Sequence, residues 1–150
     1  MIILDTNVLS ALMLDRPPLA VAEWLDRQPH LSVWTTSITV FEVRFGLNSM
    51  PAGRRRAQRI ETFERILANV IEQRIALFDS AGAERAAELA ADRRKVGRPG
   101  ELRDTMIAGI VLASHAKLAT RNVKYFEEIA ASVVNPWDKV EGIGNRKPGR

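Results

Sequence analysis

The chain has 150 residues, 46% of them apolar, with 22 Lys and Arg against 18 Asp and Glu for a formal charge of +4. That length builds one domain with a real core and leaves too little for two comfortable ones. The absence of cysteine excludes a disulfide framework, a thiolate metal site and a thiol nucleophile. No apolar run is long enough to span a bilayer, and the apolar start is too short for a signal peptide. A cytoplasmic protein with no membrane partner is therefore expected. The basic balance, with a pI near 10.0, permits a polyanionic partner without demanding one.

In chain order, residues 1–4 are apolar and run into Asp5, after which Val8, Leu9 and Leu12 fall on one side of a short helix. A short apolar run closed by an acid and followed by a helix reads as a buried parallel strand with a carboxylate at its end. Ligands bind outside the carboxyl ends of such strands, so Asp5 stands where chemistry is usually placed. Pro18 suits the first turn of a helix through Gln28, with Val21, Trp24 and Leu25 inward. Leu31 to Thr36 alternates and is β-rich, a second strand. A helix follows from Ser37 to about Asn48, with Val40, Phe41, Phe45 and Leu47 as its apolar positions. After a turn at Pro51-Ala52-Gly53, Ile60, Phe63, Leu67 and Val70 mark a long helix over 54–72.

Arg74 to Phe78 is a third strand, and Asp79 or Ser80 caps an alanine-rich helix over 81–95. Residues 97–100 form a loop, and Asp104 opens a further helix. Lys117 to Thr120 is a fourth strand, residues 125–131 a short helix, and Ser132 to Val134 a fifth strand. The alternation specifies a three-layer α/β/α domain over residues 1–136, with a central parallel sheet of four to five strands. Residues 137–150 read as a basic, flexible tail, in which Arg146, Lys147 and Arg150 would add only nonspecific attraction to a polyanion.

Three acids stand out, and each has a bland role. Asp5 and Asp104 can cap helices, and Thr39-x-x-Glu42 fits a capping box. Together they would gather near one edge of the sheet. Two like charges about 4 Å apart repel by about 4 kcal/mol at an effective dielectric near 20. Three carboxylates so placed call for cations or raised pKa values. Hard divalent ions with oxygen ligands, Mg²⁺ or alternatively Mn²⁺, meet that need and leave room for phosphate oxygens. The cluster Arg93-Arg94-Lys95 reads as a solvated helix end, and Arg98 as a possible substrate contact because its loop precedes Asp104.

The stretches Ile2-Ile3-Leu4-Asp5-Thr6-Asn7-Val8, Thr36 to Gly46 around Glu42, Asp104-Thr105-Met106-Ile107-Ala108-Gly109, and Leu118 to Phe126 resemble, in order and spacing, the four motifs of PIN-domain ribonucleases. The resemblance is strongest to the VapC/FitB-like toxins of type II toxin–antitoxin pairs. It implies a PIN-like fold and a Mg²⁺-dependent endoribonuclease that cuts RNA, tRNA or rRNA among the candidates. It implies Asp5, Glu42 and Asp104 as catalytic and metal-binding acids, with Thr6, Asn7 and Thr120 as polar support. It also implies a homodimer silenced by a small DNA-binding antitoxin.

The fourth motif of that family usually carries an Asp where this chain has Tyr125. A phenol is neutral at pH 7 and a poor ligand for magnesium. One firm metal ion is expected, with Asn122 as a neutral oxygen ligand and Glu128 as a side chain that could reach the same face. Tyr125 is either a substrate contact or an aromatic with no site role. The alternative is a catalytically weakened PIN-like module that binds antitoxin or RNA without efficient turnover. A phosphorylated Asp5, as in a receiver-like domain, ranks last because it gives Glu42 no part.

Overall fold

The computed structural model describes residues 1–139. Five strands, β1 Ile2–Leu4, β2 Val33–Thr36, β3 Ile75–Ala76, β4 Lys117–Ala119 and β5 Val133–Val134, form one parallel sheet in the order β3-β2-β1-β4-β5. Six helices connect them: α1 Thr6–Leu12, α2 Leu19–Asp26, α3 Ser37–Asn48, α4 Arg54–Asn69, α5 Ser80–Lys95 and α6 Leu102–Ala113. A 3₁₀ turn, His30–Ser32, precedes β2, and a kinked 3₁₀ segment, Val123–Ser132, joins β4 to β5.

Side-chain alternation along the strands divides the core in two. Leu4, Val33 and Ala119 pack on one face with Val8, Leu9, Val21, Trp24, Val43, Leu47, Phe63 and Leu67 of α1–α4. Ile3 and Leu118 pack on the other with Leu89, Ile107, Ile110, Val111, Phe126 and Ile129, and partly buried Trp34 joins them. Both faces are covered, as a parallel sheet requires. Relative to the expected elements, β3 is reduced to two residues and the helix expected over 125–131 is the 3₁₀ segment. Phe41 and Phe45 also depart from expectation. Thr39, Val43 and Leu47 recur every four residues and are buried, while Phe41 and Phe45 lie about 200° round the helix from that stripe. They are 56% and 59% exposed and stack on each other at 6.1 Å between centroids.

Trp137, placed in the tail on sequence grounds, is partly buried against the α1–α4 core, and its backbone N–H donates to Asn135 Oδ1 at 3.0 Å. The expectation of a flexible tail over 140–150 lies outside the described residues.

The pairing of α5 with α6 sets where α6 begins, and so where Asp104 stands. A Cβ added at Gly109 would meet Gly82 O at 2.4 Å, Ala86 Cβ at 2.7 Å and Ala86 N at 2.9 Å. Those contacts are mainly backbone and cannot swing aside. Gly109→Ala is therefore expected to destabilise the fold by about 2–3 kcal/mol, read as the shift in a urea unfolding midpoint. A loss under about 0.5 kcal/mol would show that the two helices have slack.

Candidate active site

The strand order runs outward from β1 through β2 to β3, then returns to the other side of β1 with β4 and β5. The carboxyl ends of β1 and β4 thus flank a topological switch point, where open α/β sheets hold ligands. Asp5 follows β1 and Thr120 follows β4. Glu42 comes from the second turn of α3, which starts directly after β2, and Asp104 from the first turn of α6. These acids line one open pocket of about 400 Å³ with Thr6, Asn7, Ser10 and Asn122.

Asp5 is held by its neighbours from three sides. Its Oδ1 accepts the Thr6 N–H at 2.8 Å, while Oδ2 accepts the Thr120 hydroxyl at 2.7 Å and the Asn7 amide at 3.2 Å. A carboxylate offers about four lone-pair directions, so the one left over lies on Oδ1. Asn7 Nδ2 also donates to Thr120 Oγ1 at 3.1 Å, and its Oδ1 accepts the Arg121 N–H at 3.0 Å. The Asn122 N–H donates to Thr120 Oγ1 at 3.1 Å. The polar residues grouped with Asp5 on sequence grounds are thus tied to it or to one another across more than a hundred residues of chain.

The two other acids are not the caps they could have been. Thr36, not Thr39, caps α3, its hydroxyl accepting the Thr39 N–H at 3.0 Å. Glu101 caps α6, accepting the Asp104 N–H at 3.0 Å. Glu42 and Asp104 are therefore not spent on helix ends. Three buried side-chain polar atoms lack a hydrogen-bond partner among the described residues, and two of them, Glu42 Oε1 and Thr6 Oγ1, sit here. An orphan buried oxygen is costly and calls for a ligand, an ion or water.

Charge in the pocket is correspondingly uneasy. Burial raises the Asp5 carboxyl, against the hydrogen bonds from Thr120, Thr6 and Asn7 that favour its anion. Burial, then the charges of Asp5 and Glu101, push Asp104 up to about 6. Burial also raises Glu42, with Asp5 and Asp104 adding to it and Arg103 and the nearby Thr6 side chain opposing. As they stand, no three His, Cys, Asp or Glu side chains among the described residues are arranged to hold a metal ion. The donor set still fits a hard divalent ion, because magnesium keeps several waters and needs only one or two carboxylates. Glu42 Oε1, Thr6 Oγ1 and the open side of Asp5 Oδ1 are the oxygens available to it.

Several candidates stand elsewhere. Glu128 does not reach the pocket: both its oxygens are taken by Arg93, at 2.7 Å from Nε and 3.0 Å from Nη2. Arg93 is not a solvated helix end but is 4% exposed. Its Nη1 donates to Thr105 Oγ1 at 2.8 Å and its Nη2 to the Tyr125 carbonyl at 3.0 Å. One guanidinium thus fastens the end of α5 to the residue after Asp104 and to the fourth motif. Tyr125 is 61% exposed and does not line the pocket, and Arg98 lies in the exposed loop before α6.

Sequence reasoning missed Arg93, Glu101 and Arg103. A charge run gives no sign that one member is buried, and Glu is an infrequent cap. The usable signal was glycine. Gly97, at φ +70°, ends α5 in a left-handed turn closed by Arg98 N–H to Arg93 O at 2.9 Å, and a Cβ at Gly100 would strike Arg93 Nη1 at 2.3 Å.

Two outcomes follow. Arg93→Met should cost about 1–2 kcal/mol of stability, because it leaves Thr105 and the Tyr125 carbonyl without their donor while half-exposed Glu128 turns to water; a denaturant midpoint that hardly moves would contradict the clamp. A carboxyl raised by folding binds its proton more tightly in the folded chain. Its cost to stability is full above the folded pKa near 6, fades as pH falls from there, and is gone below the unfolded value of 3.8. Asp104→Asn should accordingly stabilise the metal-free protein at pH 7.5 by about 1 kcal/mol, allowing for screening in the open pocket, with the gain shrinking as pH falls below 5. Thermal melts at both pH values read it, and equal melting temperatures at pH 7.5 would contradict it.

Comparison with known proteins places the fold in a family. The PIN domain model matches residues 2–132. A protein described as VapC ribonuclease Y4jK, from Sinorhizobium fredii, is 36% identical over 92% of this chain and 99% of its own length. Toxin FitB of Neisseria gonorrhoeae is 30% identical over 91% of this chain and 99% of its own length. Among solved structures, a FitAB complex bound to a DNA fragment contains a chain that superposes with a TM-score of 0.83 at 29% identity, covering 93% of this chain and 98% of that one. The chain belongs to the PIN domain family, in the branch that holds these VapC and FitB relatives.

Proposed function

We propose that this chain is the toxin of a type II toxin–antitoxin pair and acts as a metal-dependent endoribonuclease. The observation that carries the reading is the single pocket shared by Asp5, Glu42 and Asp104, in which a buried Glu42 oxygen has no partner. The PIN fold, a relative described as a ribonuclease and another described as a toxin support it.

Asp5, Glu42 and Asp104 would hold Mg²⁺ or Mn²⁺, partly through the waters such an ion keeps, with Asn122 as a neutral oxygen beside them. The ion would supply activation of a water and neutralisation of phosphate charge. Thr6, Asn7 and Thr120 fix the Asp5 carboxylate so that one lone pair faces outward. With Glu128 bound to Arg93 and Tyr125 outside the pocket lining, no fourth acid of that motif joins the set, and one firm ion is the expected load. Water adds to phosphorus as the O3′ bond breaks, leaving a 5′-phosphate and a 3′-hydroxyl.

A second cleft of about 300 Å³ adjoins this pocket through Thr6, Ser10 and Glu42. Met13, Leu14, Val43, Leu47 and Met50 make it apolar, between α1, α3 and α4. An amphipathic segment of a small DNA-binding antitoxin would seat here and cover the acids. The exposed Phe41–Phe45 pair supports self-association as a homodimer. No helix among the described residues is long and apolar enough to cross a membrane, and the reading places the protein in the cytoplasm. No feature of the pocket favours the alternative of a weakened module that binds without turnover.

Cleavage of total RNA, with the cut ends mapped, tests the proposal. Mg²⁺ should support cutting, EDTA should abolish it, and Asp5→Asn should lower it by about a hundred- to a thousandfold on the scale of lost catalytic electrostatics, with the fold retained. Undiminished cutting by a clean Asp5→Asn preparation would remove the proposed role.

A further inference from the structure

The pocket that would cut RNA repels it. Three carboxylates face a polyanion, and before any ion binds, something at the rim has to hold the backbone. Two arginines nearby are already committed. Arg93 is buried on Glu128, Thr105 and Tyr125, and Arg103 pairs with Glu101 at 3.0 Å. Arg98 sits in an exposed loop, and no described residue holds its side chain.

Arg121 differs from all three. It follows Thr120, whose hydroxyl binds Asp5, and its own N–H is fixed by Asn7 Oδ1 at 3.0 Å. Its backbone is therefore anchored to the pocket wall. Its guanidinium makes no hydrogen bond or salt bridge to any described residue, yet it is not loose, because it lies 5.1 Å from the ring centroid of Trp137. Trp137 is partly buried against the core and acts as a fixed plate. A guanidinium held over a ring by cation–π attraction spends none of its N–H donors on that contact. Those donors form the fork that matches a phosphate with two parallel hydrogen bonds. Bracing the side chain beforehand also lowers the ordering cost of binding.

We propose that Arg121, braced on Trp137, binds a backbone phosphate of single-stranded RNA at the mouth of the acidic pocket. The proposal rests on the nuclease reading above, and its test separates the two.

The test uses the full chain carrying Asp5→Asn, in EDTA, and a short labelled single-stranded RNA of mixed sequence, with affinity measured across a salt series. Losing one phosphate contact on a single strand reduces the slope of log K against log salt by about 0.7. Arg121→Met, at an exposed position, should show that reduction and bind about tenfold more weakly near 0.1 M salt. Arg121→Lys should keep the parental slope, since the charge stays, and still bind severalfold more weakly for want of the fork. Arg65→Met, a charge-matched change on α4, should leave both unchanged. RNA binding by the parent with an unaltered slope and affinity in Arg121→Met would overturn the assignment while leaving the nuclease reading in place. An equal loss in Arg65→Met would overturn it too, by showing only general attraction. A parent that binds no RNA at low salt would overturn the assignment, while cleavage of RNA with Mg²⁺ would still decide the nuclease reading.

Discussion

Burial of three carboxylates in one pocket, to which their mutual repulsion adds, is the constraint around which this molecule is arranged. Asp5, Glu42 and Asp104 come from three stretches of chain and share one pocket at the switch point of the sheet. Folding pushes all three towards their neutral forms. The rest of the structure keeps them together against that cost. Two covered faces lock the sheet, the Gly109 contact sets α6 against α5, and the Arg93 clamp fixes the start of α6. A protein that wanted only stability would have no reason to retain such a pocket, and strongly perturbed groups of this kind mark functional sites.

Asp5 shows how the constraint is met at one atom. Its burial would by itself favour protonation, and the Thr6 N–H, the Thr120 hydroxyl and the Asn7 amide offset part of that. The same three donors leave one outward lone pair. Stability and site geometry are thus served by the same hydrogen bonds, and they join β1 to β4 through side chains as well as through the sheet.

The parts of this arrangement that depend on short-range pattern were legible in the sequence. Ile2-Ile3-Leu4 followed by Asp5 announced a buried strand with an acid at its end, and the alternation of strands and helices specified the parallel sheet. What pattern could not show was set by tertiary contact. Phe41 and Phe45 are as apolar as Val43, and only the choice of buried stripe on α3 puts them outside. Arg93 belongs to a charge run, and only the space beside Gly100 makes room for it inside. Glu101 displaced Asp104 as the cap of α6 although both are acids three residues apart, which freed Asp104 for the pocket. At the fourth motif the departure at Tyr125 was visible, but not that Glu128 would be taken by Arg93.

Burial and, second to it, mutual repulsion keep the acids' pKa values raised until a divalent cation offsets both. Titrating Mn²⁺ into the metal-free protein by calorimetry, in buffers of different ionisation enthalpy, measures binding and proton release together. With Asp104 poised at about 6, binding at pH 6 should expel a substantial fraction of a proton, and binding at pH 7.5 should expel almost none. No binding at either pH, or binding that releases no proton at pH 6, would contradict the account.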